Sequence, residues 1–139
     1  MPVDFGVTPD PVLMVARVIG RMIPDDVDML HVRDLPDGYN AHKDGLAVVV
    51  GDDVPQVDGV AHSRDLVRVS VYGPDRDLVR RWGRNLHTAL TQGVGGVGLG
   101  VSRTRSAFFG VGPSFKPTGF VSTSSLSVGM GRIFRTANQ

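Results

Sequence analysis

The run LVRVSVYGPDRDLVRRWGRNLHTAL, residues 66–90, constrains the fold more than any other part of the chain. Its hydrophobic period changes from two to 3.6 across a single turn. Val67, Val69 and Val71 alternate with Arg68 and Ser70, which predicts a strand over 66–72 in a sheet covered on one side. The GPDRD turn then opens a helix. Pro74 suits the first helical position, where its missing N–H has no partner to lose, and Asp75 and Asp77 complement the positive end of the helix. At 100° per residue, Leu78, Val79, Trp82, Leu86, Ala89 and Leu90 fall within an arc of about 120°. Leu78, Trp82 and Leu86 are therefore expected to pack into the core, with Trp82 largely buried. Arg76, Asp77, Arg80, Arg81, Arg84 and His87 take the opposite side, and Asp77 and Arg81 have the spacing of an i,i+4 ion pair. Gly83 lowers helix propensity by about 1 kcal/mol and permits close packing.

The remaining elements follow from shorter signals. Asp10 can cap a helix with Pro11 at its first position, and VLMVARVIGRMI carries it over 12–23 until Pro24 ends it. Arg17 and Arg21 form its one polar strip. So wide an apolar circumference needs cover from more than one side, within the core or from a neighbouring subunit. Strands are expected at 29–33, at 45–51, where GLAVVVG shows no wet face, at 101–109 and at 120–128. The hydroxyls of VSTSSLS predict a wet or intersubunit face on the last strand. GVGGVGLG, 93–100, is expected to be a flexible loop or hairpin, and GVGPSFKPTG a turn-rich excursion. With 139 residues there is room for one core. Residues 1–9 are expected to be an arm, 10–128 a single domain and 129–139 a tail.

Several kinds of chemistry find no support. The chain has no cysteine, which removes disulfides, thiolate nucleophiles and cysteine-ligated metals. His31, His42, His62 and His87 lack metal-ligand spacing, and GVGGVGLG follows a helix and lacks the GK[ST] of a phosphate loop. There is no GxSxG elbow or HExxH helix. The expectation is a protein with no catalytic residues, no cofactor, no metal and no turnover. No secretory leader or apolar span is legible, so a soluble protein acting where it is made is expected. For the stripe Arg76, Arg80, Arg84, three readings stand: a solvated helix face, a protein contact, or contact with nucleic-acid phosphates.

The net charge of +1 conceals a division along the chain. Residues 1–60 hold 11 aspartates against Arg17, Arg21, Arg33 and Lys43, a net −7, while residues 61–139 carry net +8. A fold that keeps the halves apart has an acidic and a basic side, as a head-to-tail or ring assembly would use. A fold that interleaves them has neither.

A helix opened by Asp-Pro, an early strand pair, the strand of LVRVSVY, its aromatic-Gly turn, DRD and an amphipathic helix, then GPSFKPTGFVSTSSLSV as a turn and final strand: this order resembles the small tail terminator proteins of long-tailed bacteriophages. The resemblance covers about residues 10–128, while the Gly-rich loop and the tail GMGRIFRTANQ depart from the pattern. It implies an α+β fold, a mostly antiparallel sheet with two main helices packed on it and Gly-rich loops. It implies a structural virion protein at the head-proximal end of the tail, assembled in the host cytoplasm. The homo-oligomer, a hexameric ring, would cap the tail tube protein, end its polymerisation and join the head connector or neck protein, with genomic DNA passing through the lumen unread. Another head-to-tail component, such as a head completion or neck protein, is the alternative. Arg76, Arg80, Arg84, Gly95, Gly96, Phe108, Phe109, Phe115, Lys116, Ile133 and Phe134 are the residues expected to contact partners.

Overall fold

The computed structural model describes residues 10–24, 28–53, 64–93 and 99–130. They form an α+β fold in which a mostly antiparallel six-stranded sheet carries its two longer helices on one face. Helix α1 spans Pro11–Met22. The Asp10 carboxylate accepts from the Val12 N–H at 2.9 Å, so the expected cap is in place. Strand β1 (Leu30–Val32) pairs in parallel with β2 (Ala47–Asp52), and the four-residue helix α2 (Ala41–Asp44) lies in the connection between them. Nothing in the apolar periodicity announced α2. Asn40 makes it, accepting from the N–H groups of His42 and Lys43.

Strand β3 (Arg64–Gly73) pairs antiparallel with β2 on one side and with β6 (Thr118–Met130) on the other. Helix α3 runs Arg76–Thr91. Pro74 is therefore not at its first position. Asp75 adopts extended backbone and its carboxylate accepts from the Asp77 N–H at 3.0 Å, so Asp75 is the cap and Pro74 precedes it. The Asp77 carboxylate lies 4.0 Å from the Arg76 guanidinium, in place of the expected pair with Arg81.

The far side of β6 is shared end to end by β4 (Leu99–Val101) and β5 (Ala107–Phe115). The single strand expected at 101–109 is thus two strands. They are parted at residues 102–106: the Ser102 N–H still donates to the Ser127 carbonyl of β6 at 2.9 Å, while its hydroxyl accepts from the Arg105 N–H and closes a local turn. The turn-rich excursion expected after it is mostly strand, because β5 continues to Phe115 and the chain reverses only at Lys116 and the cis Pro117.

Register places Val48 beside Val71 and Ser122, and Val50 beside Val69 and Ser124, all on the face beneath the helices. Helix α1 covers β1, β2 and β3, while α3 covers β3, β5 and β6. Val12, Val15, Val18 and Ile19 of α1, Val79, Leu86 and Leu90 of α3, and Leu126 and Val128 close one apolar core. The hydroxyl-rich last strand departs from its expected wet face: Ser122, Ser124, Ser125 and Ser127 are all buried. For Ser122 and Ser124, which share the face beneath the helices, the reason is a close approach of helix to sheet. A side chain at Gly83 would lie 2.1 Å from Ser122 Oγ, so small residues face each other there and α3 sits low on β6. The buried Ser122 hydroxyl is satisfied by donating to the Val79 carbonyl at 3.2 Å.

Candidate protein-contact site

The strand order β1-β2-β3-β6, with β4 and β5 beyond β6, sends the two charge groups mostly toward opposite edges of the sheet. Residues 28–53, which make β1, α2 and β2, hold six aspartates against Arg33 and Lys43, with Asp44 on α2 and Asp53 beside Arg68 of β3. Arg33 is itself occupied, its guanidinium 2.9 Å from Asp10 and 3.6 Å from Asp52. Beyond β6, residues 99–130 hold Arg103, Arg105 and Lys116 and no acid. Among the described residues the two charge groups fall mostly toward opposite edges, and they meet within the sheet, where Arg68 of β3 pairs with Asp53 at 2.7 Å.

Helix α3 adds to the basic edge. His87 meets Phe108 of β5 with ring centroids 6.1 Å apart, which identifies the side of α3 that faces this edge. Arg76 and Arg80 lie within about 20° of His87 around the helix and Arg84 within about 60°. All three are exposed, so they form a cationic strip above β5. Burial, and then the Arg84 guanidinium, hold the His87 imidazole below its ordinary range, and its buried Nδ1 has no hydrogen-bond partner among the described residues.

Below the strip, the β5–β6 hairpin projects apolar surface. Phe109 is 68% exposed and Phe115, at the tip, is 82% exposed beside Lys116. Phe108 is half-buried under α3. Leu86 is buried in the core as expected, while Leu78 and Trp82 are only half-buried, Trp82 packing on the margin of the apolar cluster. Trp82 packs against the core from its margin, as its expected large burial requires, while Gly83 and Ser122 take the position where α3 comes nearest the sheet. Gly95, Gly96, Ile133 and Phe134 lie outside the described residues.

At the opposite edge is a feature that periodicity did not signal, an open depression of 450 Å³ lined by Asp28, His31, Asp37, Tyr39, Asp44 and Leu46 among others. The Tyr39 hydroxyl donates to the Gly45 carbonyl and the ring meets Tyr72 edge to face, with centroids 6.5 Å apart, so this wall is fixed. Burial, with the charge of Asp44 next in weight, pushes the Tyr39 phenol up to about 12. The turn signal LPDGYN was legible, yet only the β1–α2–β2 connection brings residues 28 and 37–47 together. Among the described residues, no three His, Cys, Asp or Glu side chains are placed to hold a metal ion. No helix there is long and apolar enough to cross a membrane.

The arrangement therefore offers two unlike surfaces, one acidic and concave, the other basic with a projecting aromatic tip. No protein-family model matches this chain, and no curated protein sequence is significantly similar to it.

Proposed function

We propose that this chain is a structural protein of a long-tailed phage. Copies of it close into a ring, six by the resemblance, that caps the tail tube, ends its growth and joins it to the head connector. The observation that carries this reading is the unlikeness of the two sheet edges, acidic at β1–β2 and basic at β5 with its α3 strip. Unlike edges suit heterologous contacts, which give a ring when the rotation between neighbours closes. The α+β architecture, with its helices on one face of a mostly antiparallel sheet, is the one the resemblance to tail terminators implies.

In this reading the chain works by surface complementarity and carries out no chemistry. One surface of the ring matches the last turn of the tube. The other presents no further template for tube subunits and fits the neck instead, with shape and charge deciding what docks next. The lumen passes DNA without reading it. Cryo-electron microscopy of tailed particles containing this chain tests the reading. One ring between the last tube subunits and the head connector is the expected result. Copies repeated along the tube would make it a tube subunit, and copies confined to the neck would make it the connector component.

A further inference from the structure

The aromatic tip and the acidic depression have matching chemistry and open at one end of the sheet, the tip beyond β5 and the depression running from β1 to α2, whose Ala41 lies against Gly119 of β6. Phe115 is 82% exposed, and next to it Lys116 extends into solvent. The depression offers the ring of Tyr39 and the side chain of Leu46 as an apolar wall, and the carboxylates of Asp28, Asp37 and Asp44 as counter-charge. Asp28, Asp37 and Lys116 make no ion pair among the described residues. A volume of 450 Å³ is within the range of about 300–1,000 Å³ found for sites that enclose a ligand group.

The position of the two features is as telling as their chemistry. Register aligns Leu30 with Val48, Ala47 with Tyr72, and Tyr72 with Val121, so the start of β1, the start of β2, the end of β3 and the start of β6 share one end of the sheet. The depression lies at that end beside β1 and β2. The tip lies at the same end, Phe115 pairing with Thr118 three residues from Val121. Between the β1 and β5 edges are four strand spacings, roughly 19 Å. A rotation about an axis along the strands therefore carries the tip of one copy toward the depression of the next without the axial rise that makes a filament.

We propose that the hairpin tip of each copy, Phe115 with Lys116, seats in the depression formed by Asp28, Asp37, Tyr39, Asp44 and Leu46 of the next copy. This rests on the ring reading for closure of the assembly, but the contact and the tail location fail separately. Burial of the phenyl ring drives the docking, and the ammonium set against three carboxylates fixes its register. The pairing is heterologous, so each copy uses its tip on one neighbour and its depression on the other.

Sedimentation velocity of the full chain, taken up to about 1 mM, reads the contact directly. Lys116→Asp and Asp37→Lys change exposed side chains and should leave the monomer's thermal unfolding unchanged. Each variant alone should associate at least about tenfold more weakly than the wild type. An equimolar mixture of the two should recover assembly, because the unchanged tip of one variant then meets the unchanged depression of the other, and the Lys116→Asp tip meets the only depression that carries an added cation. Phe115→Ala, which leaves charge untouched, should weaken association to a similar degree. A wild-type chain that stays monomeric throughout, single variants that associate like wild type, or a mixture that fails to recover would each overturn the proposal. If these variants still form the ring on tails, the contact is wrong and the tail reading stands. If the contact holds in solution and particles carry no such ring, the tail reading is wrong and the contact stands.

Discussion

Replacing Gly83 with Ala should destabilise the protein, against the usual effect of that change in a helix. On an exposed helix interior the substitution gains about 1 kcal/mol of propensity. Here the new methyl would lie 2.1 Å from Ser122 Oγ, 2.9 Å from Ser122 Cβ and 3.1 Å from Phe108 Cε1. Carbon atoms in good contact are about 3.5–4.0 Å apart. Rotating the Ser122 hydroxyl aside relieves the first contact but breaks its bond to the Val79 carbonyl, a loss of about 1 kcal/mol. The second contact has no such escape, because Ser122 Cβ is fixed to the backbone of β6. Helix α3 must then lift off the sheet, an overpacking cost of about 1–3 kcal/mol. The sum is a net loss of about 1–3 kcal/mol, which lowers Tm by several degrees, roughly 3–4 °C per kcal/mol for a chain this size.

Urea unfolding followed by circular dichroism measures the loss away from the neighbouring Trp82 fluorophore. The double variant Gly83→Ala with Ser122→Gly removes both atoms in the way, and should show a favourable coupling of at least about 0.5 kcal/mol. Ser122→Ala should rescue less, since it keeps the Cβ. A Gly83→Ala protein as stable as wild type, or a double variant with strictly additive losses, would refute the close approach of α3 to β6.

Trp82 is half-buried, so Trp82→Ala should cost about 2 kcal/mol in the same unfolding assay, less than the 3–5 kcal/mol of a fully enclosed aromatic. Asp10→Ala removes both the cap of α1 and the 2.9 Å contact with Arg33, and a loss of about 1–2 kcal/mol is expected; Asp10→Asn, which keeps the capping oxygen, should recover most of it. The folded state resists protonation of His87, whose pKa lies below its ordinary value of 6.5. Its contribution is therefore complete above that value and lost as the pH falls through it, so Tm should drop on acidification below about pH 6.5 and the drop should flatten in His87→Asn.

The sequence carried the elements whose signals are local. Alternating valines marked β3, GPDRD marked the start of α3, and Asp10 with Pro11 marked α1, because a strand face, a cap and a first helical turn are each decided within a few residues. Signals that depend on distant partners were misread. Serines read as wet when their partners are unknown, and Ser122 is dry only because a glycine lies opposite it 39 residues earlier in the chain. That Gly83 in a helix was the one clue to the packing. The break between β4 and β5 hangs on Ser102, whose hydroxyl closes a local turn while its N–H still bonds to β6. The depression was illegible for a different reason. Its lining comes from β1, a turn, α2 and the entry to β2, and no single period spans them.

Among the described residues the topology turns most of a charge division along the chain into one across the sheet, the halves meeting at Arg68 and Asp53. Strand β3 belongs to the basic half of the sequence but stands in the middle of the sheet, with the acidic β2 on one side and β6 on the other. Had β6 paired beyond β1, Lys116 and its neighbours would lie among the aspartates, and the edges would not differ. As built, a two-fold contact between like edges brings Arg103, Arg105 and Lys116 against their own copies, or Asp34 and Asp37 against theirs, and like charges face each other. Head-to-tail contact brings unlike charges together instead. Exposed β-edges invite indiscriminate pairing in general. An assembly of identical chains with one acidic and one basic edge resists the symmetric dimer and favours the polar arrangement that a closed ring requires.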